Sequence, residues 1–385
     1  METPALNGMK IALTCSGLSH VRRGVEAWSE QAFSALRRRG LDVTLFKGSG
    51  ANGHEHVAVV PCIRRDSPLS RTLSRVLPSA SWRIGLGSPY QMEQTTFAVS
   101  AFGALARRFD LVHTKDPQVA LLLHLARKAG WSRARVILNH GTEEPPEFLS
   151  RFDYLQHLAP PHLEDARRQG VRATHQFVVP NFVDTGTFSP GEGGPLRDRL
   201  GIPRGALVLL CVAAIKRHHK RLEWLLTEAS RVRPATGREL YVLVVGARTD
   251  ETPAVQQLGR ELLGSRAVFL VDAPREQMPD LYRAANLFVL CSLKEMLANA
   301  LLEALASGLP CLMHREPVAQ WAIGAGGVTI DMTAPGELAA TVTAYLNDSL
   351  RRQAAAEARR KALACFATDV VLEQQVAMYR NVLAH

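Results

Sequence analysis

Two carboxylates, Glu295 and Glu303, stand eight positions apart in the segment 288–312, and Lys220 precedes them at the head of a predicted helix. The apolar run Leu287 to Leu290 predicts a buried parallel strand. Glu295 then falls in a polar turn, and a helix opens near Asn299 with Glu303 on its first turns. Ser307-Gly308-Leu309-Pro310 predicts the stop of that helix, Gly then Pro. A strand, a turn and a helix N-terminus together make an anion site, because free N–H groups and the positive end of the helix dipole face the same crevice. Two acids beside such a site would repel an anion. Their use is to accept hydrogen bonds from hydroxyls, as on a ribose and a sugar ring. A nucleotide sugar is the ligand that carries all three features.

The elements that must position these residues read as two α/β halves. In the first, Lys10 to Thr14 predicts a strand, Cys15 to Ser19 a turn, Gly24 to Arg38 an amphipathic helix closed by Gly40, and Asp42 to Phe46 a second strand. That is a parallel βαβ start. Further strands are predicted at Leu111 to His113 and Arg135 to Asn139, with a helix over Val119 to Ala129 between them. Prolines 145, 146, 160 and 161 predict a broken, loop-rich stretch over 145–162, and the Gly- and Pro-rich run Thr187 to Pro195 reads as a linker. In the second half, strands are predicted at 207–213, 241–245, 267–270 and 287–290, and helices at 221–231, 254–262 and 277–284. A long helical pattern from about Leu350 closes the chain, broken near Phe366 to Asp369.

At this point the chain resembles a known family. Glu295 and Glu303 are similar to the Glu-x7-Glu signature of family 4 retaining glycosyltransferases (glycosyl transferases group 1). Val179-Pro180-Asn181-Phe182-Val183-Asp184 with Phe188 and Pro190 resembles that family's interdomain segment, and Lys220-Arg221-Leu222 its phosphate-binding lysine. Met9 to Gly40 resembles its opening strand, turn and helix, so the landmarks run in family order from about residue 9 to 312. The resemblance implies the GT-B fold: two Rossmann-like parallel-sheet domains, an interdomain cleft and a C-terminal helix crossing back to the first domain. On this sequence that gives an acceptor-side domain over 1–186, a donor-binding domain over 187–365 and the returning helix over 366–385.

The same resemblance implies roles for single residues. Glu303 would bind ribose hydroxyls and Glu295 donor-sugar hydroxyls, with Lys220 on the diphosphate. His140, ending a predicted strand, would be the donor-contacting histidine, so the catalytic set is His140, Lys220 and Glu295. Gly17 lies in the loop over the donor phosphates, and Met296, Leu297, Ala298 and Asn299 line the donor beside Glu295. On the acceptor side, His113 is read from its own position at the end of the preceding predicted strand, with Asp116 nearby, and Arg23 replaces the first glycine of the family's Gly-Gly-x-Glu. The chain departs from the pattern at two places. It has Glu295-Met296-Leu297-Ala298 where the family has Glu-Gly-Phe-Gly, and Ala213-Ala214-Ile215 where the family brings an arginine. Lys216 or Arg217 on the same loop would supply that charge. The cationic side chains do what a metal does elsewhere, so no metal and no cofactor is expected. A nucleotide-sugar epimerase and a non-catalytic nucleotide-sugar-binding scaffold share most of these features and stay open.

Composition bounds the rest. With 385 residues, 46% hydrophobic and 21% charged, the chain suits two ordinary α/β cores. No apolar run reaches the ~18 residues a spanning helix needs, and the N-terminus does not read as a secretion signal. The six cysteines (15, 62, 211, 291, 311, 365) are scattered without a C-x-x-C pair, which fits reduced thiols and a cytoplasmic location. The net charge of +10 is concentrated in residues 1–190, with 23 Lys and Arg against 16 Asp and Glu, a net +7. Arg64, Arg65, Arg71, Arg75 and Arg83 interleave with Leu69, Leu73, Val76, Leu77 and Trp82, a pattern suited to an inner membrane face, a lipid-linked or glycan acceptor, or simply a solvated helix. Aromatics at 6% offer no platform for nucleic acid.

Overall fold

Strands that are apolar along their whole length need cover on both faces, and this chain supplies it with helices between successive parallel strands. The computed structural model describes residues 8–21, 24–51, 55–233 and 237–385. It forms two compact units: Met1–Pro180 together with Val371–His385, and Asn181–Val370.

The first unit holds seven strands: β1 (Lys10–Cys15), β2 (Asp42–Lys47), β3 (Val57–Val59), β4 (Leu111–Thr114), β5 (Arg135–His140), β6 (Tyr154–His157) and β7 (His175–Val178). All pair in parallel, in the order β3-β2-β1-β4-β5-β6-β7. Helices Pro89–Arg108 and Pro117–Lys128 cover one face through a core that includes Phe97, Leu105, Leu123, Val112 and Leu155. The stretch 145–162, expected to be broken loop, contains a short helix Pro146–Leu149, the whole of β6 and the start of helix Pro160–Arg168. Each helix has Pro at its first turn, where the missing N–H costs nothing, so these prolines start helices rather than end order. The basic segment forms the helix Pro68–Val76, with Ser67 as its N-cap.

The second unit holds six strands: β8 (Leu207–Val212), β9 (Leu240–Gly246), β10 (Ala267–Val271), β11 (Leu287–Leu290), β12 (Cys311–His314) and β13 (Gly327–Ile330). They are parallel in the order β10-β9-β8-β11-β12-β13. The chain reverses direction across this sheet between β8 and β11, the kind of switch point where open α/β sheets bind ligands at the strand C-terminal ends. Helix Asn299–Ala306 stops as expected. Gly308 takes φ +71°, Leu309 N–H returns to the Ala304 carbonyl at 3.0 Å, and Gly308 N–H to that of Leu305 at 3.0 Å.

Gly246 is among the glycines required by close approach. A Cβ on Gly246, the last residue of β9, would lie 1.7 Å from the Ala213 carbonyl oxygen just past β8. Gly246→Ala must push these two strand ends apart. A loss of about 1–3 kcal/mol is expected, the range for overpacked sites, read as a lower denaturation midpoint. An unchanged midpoint would mean the loop after β8 yields freely.

Candidate functional site

In the second unit, the segments that follow β8 and β11 bring Lys220 and Glu295 together. After β8 the chain runs through Ala213 to Lys220 and enters helix Leu222–Arg231. His219 and Arg221 both take left-handed backbone (φ +65° and +51°), which a side chain adopts only at a cost of order 1 kcal/mol. The loop is braced by Glu251, whose carboxylate accepts from Arg217 N–H at 2.9 Å and lies 3.3 Å from His218 Nδ1. Lys216 is partly buried and Arg217 exposed. Lys220 closes the loop, and its Nζ donates to Glu295 Oε1 in a direct ion pair with both side chains mostly buried. The residue expected on a diphosphate and the residue expected on a sugar therefore touch each other.

Helix Asn299–Ala306 follows Glu295 in the chain. Its N-cap position is Ala298, whose side chain makes no cap hydrogen bond. The turn ahead of it is set from a distance. Asn181 Nδ2 donates to the Leu297 carbonyl at 3.2 Å and to Asn299 Oδ1 at 3.0 Å. Leu297 is 5% exposed and packs inward, while Met296 and Ala298 are partly exposed.

Glu303 is buried but not isolated. Its Oε2 accepts from Tyr282 Oη at 2.9 Å and its Oε1 from Arg275 Nη2 at 2.5 Å. Burial first, and the Glu303 charge second, push the Tyr282 hydroxyl well above its ordinary range, so it stays a donor. The Arg275 guanidinium also lies 5.0 Å from the centre of the Phe188 ring. A carboxylate has about four acceptor positions and these two donors use two, so Glu303 retains capacity for a hydroxyl pair. Arg275 and Tyr282 were not read from the sequence. They lie 28 and 21 positions before Glu303, and no spacing rule connects them to it.

In the first unit, Gly17 sits in the turn after β1, where a Cβ would meet Glu26 Oε1 at 2.5 Å and Arg65 Nη2 at 2.9 Å. Around it lies a buried polar cluster that the sequence did not announce. Glu93 accepts from Arg65 N–H at 2.7 Å and Arg65 Nε at 2.7 Å, and pairs with His20 Nε2 at 2.7 Å. Asp116 accepts from Ser16 N–H at 2.7 Å and Gln94 Nε2 at 3.2 Å, and burial pushes its carboxyl up to about 7. Lys115 lies 4.1 Å from the centre of the Trp28 ring, and burial lowers it to about 7.

The two acceptor-side expectations fare differently. Arg23 lies outside the described residues. His113 is 1% exposed, and its Nδ1 is 2.7 Å from the Tyr379 hydroxyl, which in turn accepts from Gln375 at 2.6 Å. It pairs in register with Ile137, three positions short of His140, and so lies inside the sheet rather than at its rim. Burial, then Lys115, lowers it to about 3. His113 anchors the terminal helix Thr368–Ala384 and has no surface left to offer an acceptor.

His140 does end β5. It stands opposite His157 of β6, with the two Nδ1 atoms 3.5 Å apart, and its Nε2 is 3.7 Å from Glu144 Oε2. Burial pushes the Glu144 carboxyl up. Among the described residues, no group of three or more His, Cys, Asp or Glu is placed to hold a metal ion.

Comparison with known proteins bears on the family and the fold. Residues 206–348 match the family described as glycosyl transferases group 1. A D-inositol 3-phosphate glycosyltransferase of Geodermatophilus obscurus is 31% identical over 220 residues, 54% of this chain and 48% of the relative. The chain spans about half the length of the first curated relatives it matches. Among solved structures, sucrose-phosphate synthase of Thermosynechococcus elongatus aligns with a TM-score of 0.80 at 18% identity, covering 98% of this chain and 99% of that one. HepE of Anabaena, solved with UDP-glucose, aligns at 0.74 and 16%, covering 97% and 100%. At such identities the structural likeness establishes the fold, which is GT-B.

Proposed function

We propose that this chain, a GT-B protein whose residues 206–348 belong to glycosyl transferases group 1, is a retaining glycosyltransferase. It moves a sugar from a UDP- or GDP-linked donor to a hydroxyl of a glycan or lipid-linked acceptor. One observation carries the reading: at the switch point of the second sheet, Lys220 pairs with Glu295 on the turn that leads into helix Asn299–Ala306, which itself carries Glu303. The HepE complex with UDP-glucose supports the donor class.

The chemistry needs few reacting groups from the protein. Glu303 accepts the ribose hydroxyls and Glu295 a hydroxyl of the sugar. Lys220, with Lys216 or Arg217, and the first-turn N–H groups neutralise the charge that grows on the leaving diphosphate. The ion pair between Lys220 and Glu295 must open for the donor to bind, so each partner exchanges one protein contact for one ligand contact. Met296, in place of the family's glycine, adds a side chain beside the sugar and narrows the choice of donor. His140 is the first unit's catalytic candidate. No metal is required in this scheme.

The test is release of nucleoside diphosphate from a panel of UDP-, GDP- and ADP-sugars in EDTA. Release from one donor, lost in Glu295→Gln while nucleotide binding persists, is the expected outcome. Binding without turnover of any donor would overturn the enzyme reading and leave a scaffold. A freed, epimerised sugar would assign an epimerase.

We also propose a peripheral membrane contact for the basic segment. Leu69, Val76, Trp82 and Ile84 are 55%, 72%, 61% and 67% exposed beside the exposed Arg71, Arg75 and Arg83. Apolar side chains exposed among cations match an anionic lipid surface. Among the described residues, no helix is long and apolar enough to cross a membrane. Sedimentation with vesicles containing anionic lipid, but not with zwitterionic ones, is expected, and Trp82→Ser with Ile84→Ser should weaken it. Equal sedimentation with both lipids, or with neither, would remove the proposal.

A further inference from the structure

The ring of His140 stands at the end of a chain of close polar contacts that runs through His157 to Gln176. The chain starts at Gln176 on β7. Its amide Nε2 donates to the Val171 carbonyl at 3.4 Å, which an amide oxygen could not do. The Gln176 Oε1 is therefore the atom that faces His157 Nε2 at 2.9 Å. Oxygen there only accepts, so His157 holds its proton on Nε2. His157 is fully buried, and burial lowers its affinity for a second proton, so its Nδ1 is left with a lone pair. The Nδ1 of His140, 3.5 Å away and brought opposite by the β5–β6 register, is the atom placed to donate to it.

We propose that Gln176 and His157 are positioning residues that hold His140 in its Nδ1–H form and so present Nε2 as its lone-pair nitrogen. Glu144 Oε2 lies 3.7 Å from that Nε2, with Glu144 Oε1 occupied by the Thr142 hydroxyl. The His162 ring centre is 6.3 Å from that of His140. Nε2 is thus the nitrogen through which His140 would take or return a proton, or accept a bond from a hydroxyl. A histidine without such a chain would divide its population between two tautomers, of which one presents N–H at this position. Fixing the tautomer in advance removes that loss.

The inference deepens the reading of His140 as the first unit's catalytic candidate. Its test uses no donor, so failure of sugar transfer and failure of the tautomer assignment are separate results. Full-length protein carrying 15N-labelled histidine is examined by long-range 1H–15N correlation at pH 7.5, with His140→Gln and His157→Asn used to assign signals. The expected spectrum shows a protonated-type Nδ1 and a lone-pair-type Nε2 for His140, and the reverse for His157. Gln176→Met, similar in volume but without the amide, is expected to convert the single His140 tautomer into a mixture. A wild-type His140 in the Nε2–H form would overturn the proposal. So would a folded Gln176→Met protein with unmoved His140 signals. Should Gln176→Met fail to fold, the wild-type tautomers decide the matter.

Discussion

Lys220→Ala is expected to lower the rate of sugar transfer by roughly 10²–10³-fold, about 2.7–4 kcal/mol of transition-state stabilisation, while leaving the protein folded. In the proposed reaction the lysine is a point charge at the place where diphosphate charge develops, and in the structure it pairs with Glu295. Both side chains keep some access to solvent, so loss of the pair itself should cost no more than about 1 kcal/mol of stability. That separation distinguishes a functional lysine from a structural one. Single-turnover rates with a labelled donor, beside a denaturation curve, give both numbers. A variant that transfers sugar at the wild-type rate would remove Lys220 from the mechanism.

Glu93→Ala should produce the largest loss of stability, about 3–5 kcal/mol, because it leaves the half-buried Arg65 and His20 without their shared partner. For a unit of this size that corresponds to a fall in Tm of roughly 6–20 °C. The same site gives a pH signature. Burial works against the Glu93 charge, but the bonds from Arg65 and His20 outweigh it and hold the carboxyl below its ordinary value. A depressed carboxylate stabilises fully above the unfolded pKa of about 4.3 and loses that contribution as pH falls through the folded value. The gap in stability between wild type and Glu93→Gln is therefore expected to close below about pH 4. Urea midpoints at pH 3 to 7 measure it, and a gap that persists at pH 3 would mean the charge on Glu93 does not act.

The parts of this architecture that were legible in the sequence are those in which local pattern and tertiary role coincide. Strands β8, β9 and β11 are apolar throughout because helices cover both faces, and the Gly308-Leu309-Pro310 stop obeys local capping chemistry. Glu295, Asn299 and Glu303 lie on one contiguous strand, turn and helix, so their spacing carried real information. Strand β6 was hidden. It is four residues long and ends in His157, whose burial makes sense only beside Gln176, nineteen positions on. Prolines 146 and 160 punctuate the sequence like breaks but begin helices. His113 was misplaced for a related reason. A strand end is visible in sequence, but the register that sets it three positions short of the rim, and the Tyr379 that covers it, are not. The partners of Glu303 fall in the same class, since Arg275 and Tyr282 reach it only through the fold.

The nucleotide site proposed on the second unit, marked by Glu303 and Lys220, is tested most directly by ligand-linked stability. Thermal unfolding of the wild type and of Glu303→Gln, an isosteric change, would be compared with UDP, GDP and ADP in EDTA. A ligand at a hundredfold excess over its Kd stabilises by ~2.7 kcal/mol. The account predicts that stabilisation for one nucleotide with the wild type and most of it lost in Glu303→Gln. No shift with any of the three, or an equal shift in both proteins, would contradict the placement of the ribose on Glu303.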